Sequence, residues 1–196
     1  MPIRLTVALL LLAGCVAAQD KRLRTEYDKF QDQTTLKVDA SLRLADYWKV
    51  HQIDLTAGIL YPGRVPPADV SEVHLTFTSY SKVWCFLKES QRGVIFLVEG
   101  ERIAVEGAAY EGKLSPRMIE FLTITLPLAT VRKLAAASEV GVQLGGHVEG
   151  RLREKELAAL RALCDALSAN TSRPAAPSAS AQAKTCFENG RKVACL

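Results

Sequence analysis

Along residues 34 to 44 apolar and polar side chains alternate, Leu36, Val38, Ala40, Leu42 and Leu44 against Thr35, Lys37, Asp39, Ser41 and Arg43. A period of two over that length marks a strand with one face in a core and the other in water. Residues 47 to 61 are less regular but rich in β-formers, and Pro62-Gly63 with Pro66-Pro67 ends them in a loop. Val73, Leu75, Phe77 and Ser79 alternate with His74, Thr76, Thr78 and Tyr80, which predicts a third half-buried strand. The run from Val94 to Val98 has no polar interruption, so that strand is expected nearer the centre of the core. Gly100-Glu101 suits a two-residue turn with glycine first, returning through Ile103 and Val105. The pattern is that of an antiparallel meander.

Residues 118 to 126 supply another strand, and Pro127 opens a short helix on which Leu128, Val131, Leu134 and Ala135 repeat at helical spacing. Val140, Val142 and Leu144 predict a short strand that turns at Gly145-Gly146 and returns from Val148 to Leu152. From Glu154 to Leu167 one stripe carries Leu157, Leu160, Leu163, Cys164 and Leu167, the signature of an amphipathic helix docked on a sheet. The expected fold class is α+β: an antiparallel sheet or sandwich of about 7–9 strands with one short helix and one longer C-terminal helix, spanning residues 34–168.

At the N-terminus an n-region ending in Arg4 precedes an apolar run from Leu5 to Ala13 and then small residues, the layout of a secretory signal covering residues 1–18. A bilayer span needs about 20 apolar residues, so this shorter run is expected to be cleaved rather than kept as an anchor. Leu12-Ala13-Gly14-Cys15 resembles the lipobox of bacterial lipoproteins. The resemblance implies that Cys15 is acylated and begins the mature chain, and Val16 after it suits delivery to the periplasmic side of the outer membrane. Cleavage after Val16-Ala17-Ala18 would instead start the mature chain at Gln19 and leave it periplasmic or secreted. Both readings export the protein. Residues 19–33 are polar, with Lys21, Arg22 and Arg24 near the proposed anchor, and are expected to form a tether.

Of the five cysteines, Cys85, Cys164, Cys186 and Cys195 lie beyond the signal, an even set in an oxidising compartment. Residues 169–184 are an Ala/Ser/Pro linker with no apolar side chain larger than alanine, so burial cannot order them. Residues 185–196 form an expected hairpin in which a Cys186–Cys195 disulfide puts Gly190-Arg191 at the turn and contributes about 2–3 kcal/mol. Cys85 and Cys164 are left either bridged to each other or buried free.

The balance of 25 basic and 21 acidic residues, a net +4, is too small and dispersed for a nucleic-acid footprint. Gly107-Ala108-Ala109-Tyr110-Glu111-Gly112-Lys113 matches most of a phosphate-binding loop, but Leu114 stands where the motif needs Ser or Thr, and Pro116 opposes the helix that must follow. His51, His74 and His147 lie in no metal-ligand spacing, and no nucleophile elbow or carboxylate pair can be nominated. No catalytic residue, cofactor or metal is therefore assigned. Tyr80, Trp84 and Phe86 are candidate binding aromatics, weighed against core packing. The leading expectation is a lipid-anchored, non-enzymatic envelope module with a protein or glycan partner. The alternatives are a small-molecule or lipid carrier, which requires an internal cavity, and a hydrolase with a non-local site.

Overall fold

The computed structural model describes residues 23–44, 50–88, 92–146, 148–171, 185–188 and 191–194. The signal segment, Cys15, the linker from residue 172 and Cys195 lie outside the described residues. The main body follows the order β1 (Leu23–Asp28), β2 (Gln33–Leu44), β3 (Val50–Pro62), β4 (Glu72–Ser81), β5 (Val94–Val98), β6 (Glu101–Val105), β7 (Ala109–Leu114), β8 (Met118–Pro127), α1 (Leu128–Ala136), β9 (Val140–Leu144), β10 (Val148–Leu152) and α2 (Glu154–Thr171). A hairpin of β11 (Thr185–Glu188) and β12 (Arg191–Ala194) follows. The α+β class is as the periodicity predicts, with a longer C-terminal helix.

The main sheet has ten strands, more than expected. The additions are β1, inside the stretch read as a tether, and β7, inside the phosphate-loop look-alike. Both carry mostly exposed side chains and lie at sheet edges, where one partner strand suffices and the apolar alternation that reveals a strand is not needed. Gly112 and Lys113 thus belong to an extended strand and cradle no phosphate.

One half of the sheet runs β1–β2–β3–β4–β8–β7 and the other β6–β5–β9–β10, all antiparallel. They join where Arg43 and Leu44 at the end of β2 pair with Arg151 and Gly150 of β10. Residues 106–108 connect the opposite edges, β6 to β7. The two inner faces share one core, since the rings of Phe77 on β4 and Phe96 on β5 lie 6.3 Å apart. Phe77, Phe86, Phe96, Leu55, Leu75 and Leu122 are all fully buried. At about 1.5–3 kcal/mol per large apolar side chain, such residues dominate the favourable side of folding.

Both helices pack as their apolar stripes require. Leu128, Val131, Leu134 and Ala135 of α1 are buried, as are Leu157, Leu160, Leu163, Cys164 and Leu167 of α2, and α2 lies against α1 and β2. Glu156, the third residue of α2, accepts the Arg153 N–H at 3.1 Å, the returning half of a capping box.

Two turns fall one residue earlier than expected. Val98 pairs with Glu101, so the β5–β6 turn is Glu99-Gly100, with φ of +48° and +87°. A left-handed conformation at both central residues is the mirror turn that matches strand twist, and glycine eases its second position. In the C-terminal hairpin Glu188 pairs with Arg191 and Cys186 with Val193, so Asn189-Gly190, not Gly190-Arg191, links the strands. The expected Cys186–Cys195 disulfide lies outside the described residues.

Cys85 and Cys164 are both buried thiols, not bridged to each other. Burial pushes the Cys164 thiol above its ordinary value, Asp165 adds to this, and Arg132 opposes it. Both thiols are therefore expected to stay unreactive toward a disulfide reagent at neutral pH and to react on unfolding; rapid labelling of the folded protein would contradict their placement. Phe96→Ala, which opens a cavity between the halves, should cost about 3–5 kcal/mol in a urea titration.

Candidate functional site

The outward face of β2, β3, β4 and β8 is polar because the residues alternating with the core are Thr, Asp, Ser, Gln, His and Tyr. Antiparallel register lines them up in rows: Asp39, Thr56, Thr76 and Thr123 in one, Ser41, Asp54, Thr78 and Phe121 in the next, then Gln52, Tyr80 and Ile119. A register irregularity between Val50 and Gln52 interrupts β3 at the end of this array, a feature that commonly re-aims side chains beside sites.

Within these rows lies a groove of about 520 Å³ lined by Asp39, Ser41, Gln52, Asp54, Tyr80 and Lys155, among others. Asp54 Oδ1 accepts from Ser41 Oγ at 2.8 Å and from Gln52 Nε2 at 2.7 Å, so Oδ2 receives neither bond. Asp39 Oδ1 accepts from Thr56 Oγ1 at 2.8 Å, and its Oδ2 lies 3.6 Å from Arg24. Each carboxylate is thus oriented by a neighbouring strand while retaining acceptor capacity toward the groove. Among the described residues, no group of His, Cys, Asp and Glu is placed to hold a metal ion.

A second concavity, about 570 Å³, lies on the outer face of the other half, with Leu97 and Gly141 at its floor. Leu97 is 52% exposed. Beside it Arg151 pairs with Glu139 at 2.9 Å, Arg153 approaches Glu139 at 3.9 Å, and Gln143 donates to Glu149 at 3.0 Å.

The three candidate aromatics separate. Tyr80 faces outward and lines the polar groove. Trp84 is half-buried, and Phe86 is fully buried in the core, the packing alternative the sequence weighed. The reason lies in Glu120 on β8, which is itself completely buried. Its carboxylate accepts the backbone N–H of Cys85 at 2.7 Å and of Phe86 at 2.8 Å, drawing residues 82–88 down onto the sheet. Arg92 donates to the carbonyls of Phe86 and Leu87 and lies 4.6 Å from the centre of the Tyr110 ring. Tyr110 donates to Glu120 at 3.4 Å. Burial first, and then the Glu120 carboxylate, hold the Tyr110 phenol above its usual value, with Cys85 adding and Arg92 opposing. Gly112, opposite Glu120, leaves room for this layer, since a Cβ there would come within 2.5 Å of Tyr110 Oη and 2.8 Å of Trp84.

His74 is exposed and bonds Thr125 at 3.0 Å, a surface role; nothing is assigned to His51 or His147, whose side chains lie outside the described set. Asp39, Asp54 and Gln52 were not singled out from the sequence. The only signal was their place on the polar side of alternating strands, which every solvated residue shares. Comparison with family models, with curated proteins and with solved structures finds no match.

Ser79, directly across from Glu120 on β4, is fully buried, and its hydroxyl has no hydrogen-bond partner among the described residues. Glu120→Ala strands two buried backbone N–H groups and should destabilise by about 2–6 kcal/mol, with amide exchange accelerated at Cys85 and Phe86. Ser79→Ala removes an unsatisfied hydroxyl and should stabilise by roughly 1 kcal/mol; a lower melting temperature would reveal a partner for that hydroxyl.

Proposed function

We propose that this protein is an exported, lipid-anchored, non-enzymatic module of the bacterial envelope that binds a glycan in the polar groove of β2, β3 and β4. The observation that carries the reading is the meeting of the Tyr80 aromatic ring with two outward carboxylates, Asp39 and Asp54, and the Gln52 amide in one groove. A sugar ring offers an apolar C–H face beside a rim of hydroxyl donors. An aromatic side chain matches the first, and carboxylates, with their strong acceptor oxygens, match the second. With two carboxylates in the groove, a neutral or amino-sugar glycan suits it better than an acidic one.

The elements that carry these groups are paired on both sides in the sheet, so the groups are pre-organised and little ordering is needed on binding. Export and anchoring rest on the Leu5–Ala13 run and on the lipobox-like Leu12-Ala13-Gly14-Cys15. A carrier is less favoured because Phe77 and Phe96 meet between the sheet halves, where a cargo cavity would have to open.

The test is calorimetric titration of the folded protein with N-acetylglucosamine oligomers, alongside co-sedimentation with purified cell-wall sacculi. Asp54→Asn and Tyr80→Ala should each weaken binding by about ten-fold or more, equivalent to ~1.4 kcal/mol, without lowering the melting temperature. Affinity unchanged in both variants would remove the groove from the reading.

A further inference from the structure

At the floor of the polar groove lies a hydroxyl that the described residues leave unused. Thr78 sits directly across from Asp54 on β4 and lines the same concavity, yet it is only 9% exposed. The Ser and Thr hydroxyls around it are engaged. Ser41 donates to Asp54, Thr56 donates to Asp39, and Thr76 and Thr123 share a bond at 3.0 Å. Among the described residues Thr78 Oγ1 has no hydrogen-bond partner, and Asp54 Oδ2 receives no bond either.

Electrostatics single out the same spot. Asp39 shares its charge with Arg24 at 3.6 Å, and the Glu156 carboxylate accepts the Arg153 N–H at the start of α2. Asp54 is held by the neutral Ser41 hydroxyl and Gln52 amide, and among the described residues no cation lies within ion-pair distance of it. Of the residues lining the groove, Lys155 brings the one positive charge, against Asp39, Asp54 and Glu156. The lining is thus net negative, and Asp54 is its carboxylate without a counter-ion.

We propose that the groove selects a free primary amine on its glycan, so that its ligand is an N-deacetylated hexosamine chain rather than an N-acetylated one. The inference rests on the glycan reading above and narrows it. The unused groups at this spot are acceptors: Asp54 Oδ2, the lone pairs of Thr78 Oγ1, and Gln52 Oε1, whose amide nitrogen already donates to Asp54. A sugar hydroxyl brings one donor together with lone pairs of its own. A protonated amine brings three donors, no acceptor and a charge that answers Asp54. Hydrogen bonds with an ionised partner are roughly twice as strong as neutral ones, and an N-acetyl group would turn a carbonyl oxygen toward acceptors instead. Tyr80, on the next row of the face, offers its ring to the sugar C–H groups and favours a nearby cation.

The experiment is calorimetric titration of the folded protein with tetramers of glucosamine and of N-acetylglucosamine at about pH 6, where carboxylates are ionised and amines protonated. The wild-type protein should bind the glucosamine tetramer at least about ten-fold more tightly than the N-acetylated one. Asp54→Asn keeps the size of the side chain and removes its charge, and should bring the two affinities within about two-fold of each other. Thr78→Val keeps the branched shape and removes the acceptor, and should cut the preference by about three-fold or more at an unchanged melting temperature. Equal affinities in the wild type, tighter binding of the N-acetylated tetramer, or a preference that survives either variant would overturn the inference and leave the glycan reading standing. Binding of neither tetramer would overturn both. Tetralysine carries the same charge on a peptide and should bind at least about ten-fold more weakly than the glucosamine tetramer; equal binding would identify a cationic peptide as the ligand and overturn the sugar.

Discussion

A strand lying beneath a helix must satisfy its backbone N–H and C=O groups within the protein, and β2 has three partner strands. Residues 33–42 pair with β3 along one edge, residues 33–38 pair with β1 along the other, and Arg43 and Leu44 pair with β10. This last, short pairing carries the chain of hydrogen bonds from one half of the sheet to the other, while residues 106–108 join their far edges. With both sides connected, the inner faces close on one core, and α2 seats against β2. The same strand presents Asp39 and Ser41 to the groove. The groove therefore depends on that register.

The second constraint is a buried charge-bearing group. A carboxylate without partners in a core is prohibitively costly, and Glu120 is acceptable there because two backbone N–H groups and a phenol surround it. In return it fixes residues 82–88, a segment with no ladder of its own. This arrangement consumes Phe86 as core and half of Trp84 as cover, leaving Tyr80 as the outward aromatic. The sheet face stays open because its neighbouring loop is tied down on the opposite side.

The two outer faces differ in what their charges do. On the β9–β10 side, Arg151 and Arg153 share Glu139 at the surface. On the β2–β3 side, hydroxyl and amide donors orient Asp54, while Asp39 accepts from Thr56 and pairs with Arg24.

Much of the fold was legible in the sequence. The strands β2, β4, β5 and β8 and the buried stripes of both helices follow from periods of two and 3.6, because which side of a regular element meets the core is a local property. The edge strands β1 and β7 were hidden, since an edge needs no apolar alternation. The turns at Glu99-Gly100 and Asn189-Gly190 were displaced by one residue, because register is set by cross-strand pairing and twist rather than by the glycine alone. The amphipathic helices belong to the sequence by itself, being a matter of short-range spacing. Only the tertiary structure decided that Asp39 meets Thr56, that Asp54 shares a groove with Tyr80 and that Glu120 captures Cys85 and Phe86. Those partners lie far apart along the chain, and hydrogen bonds between strands, which no local pattern encodes, bring them together.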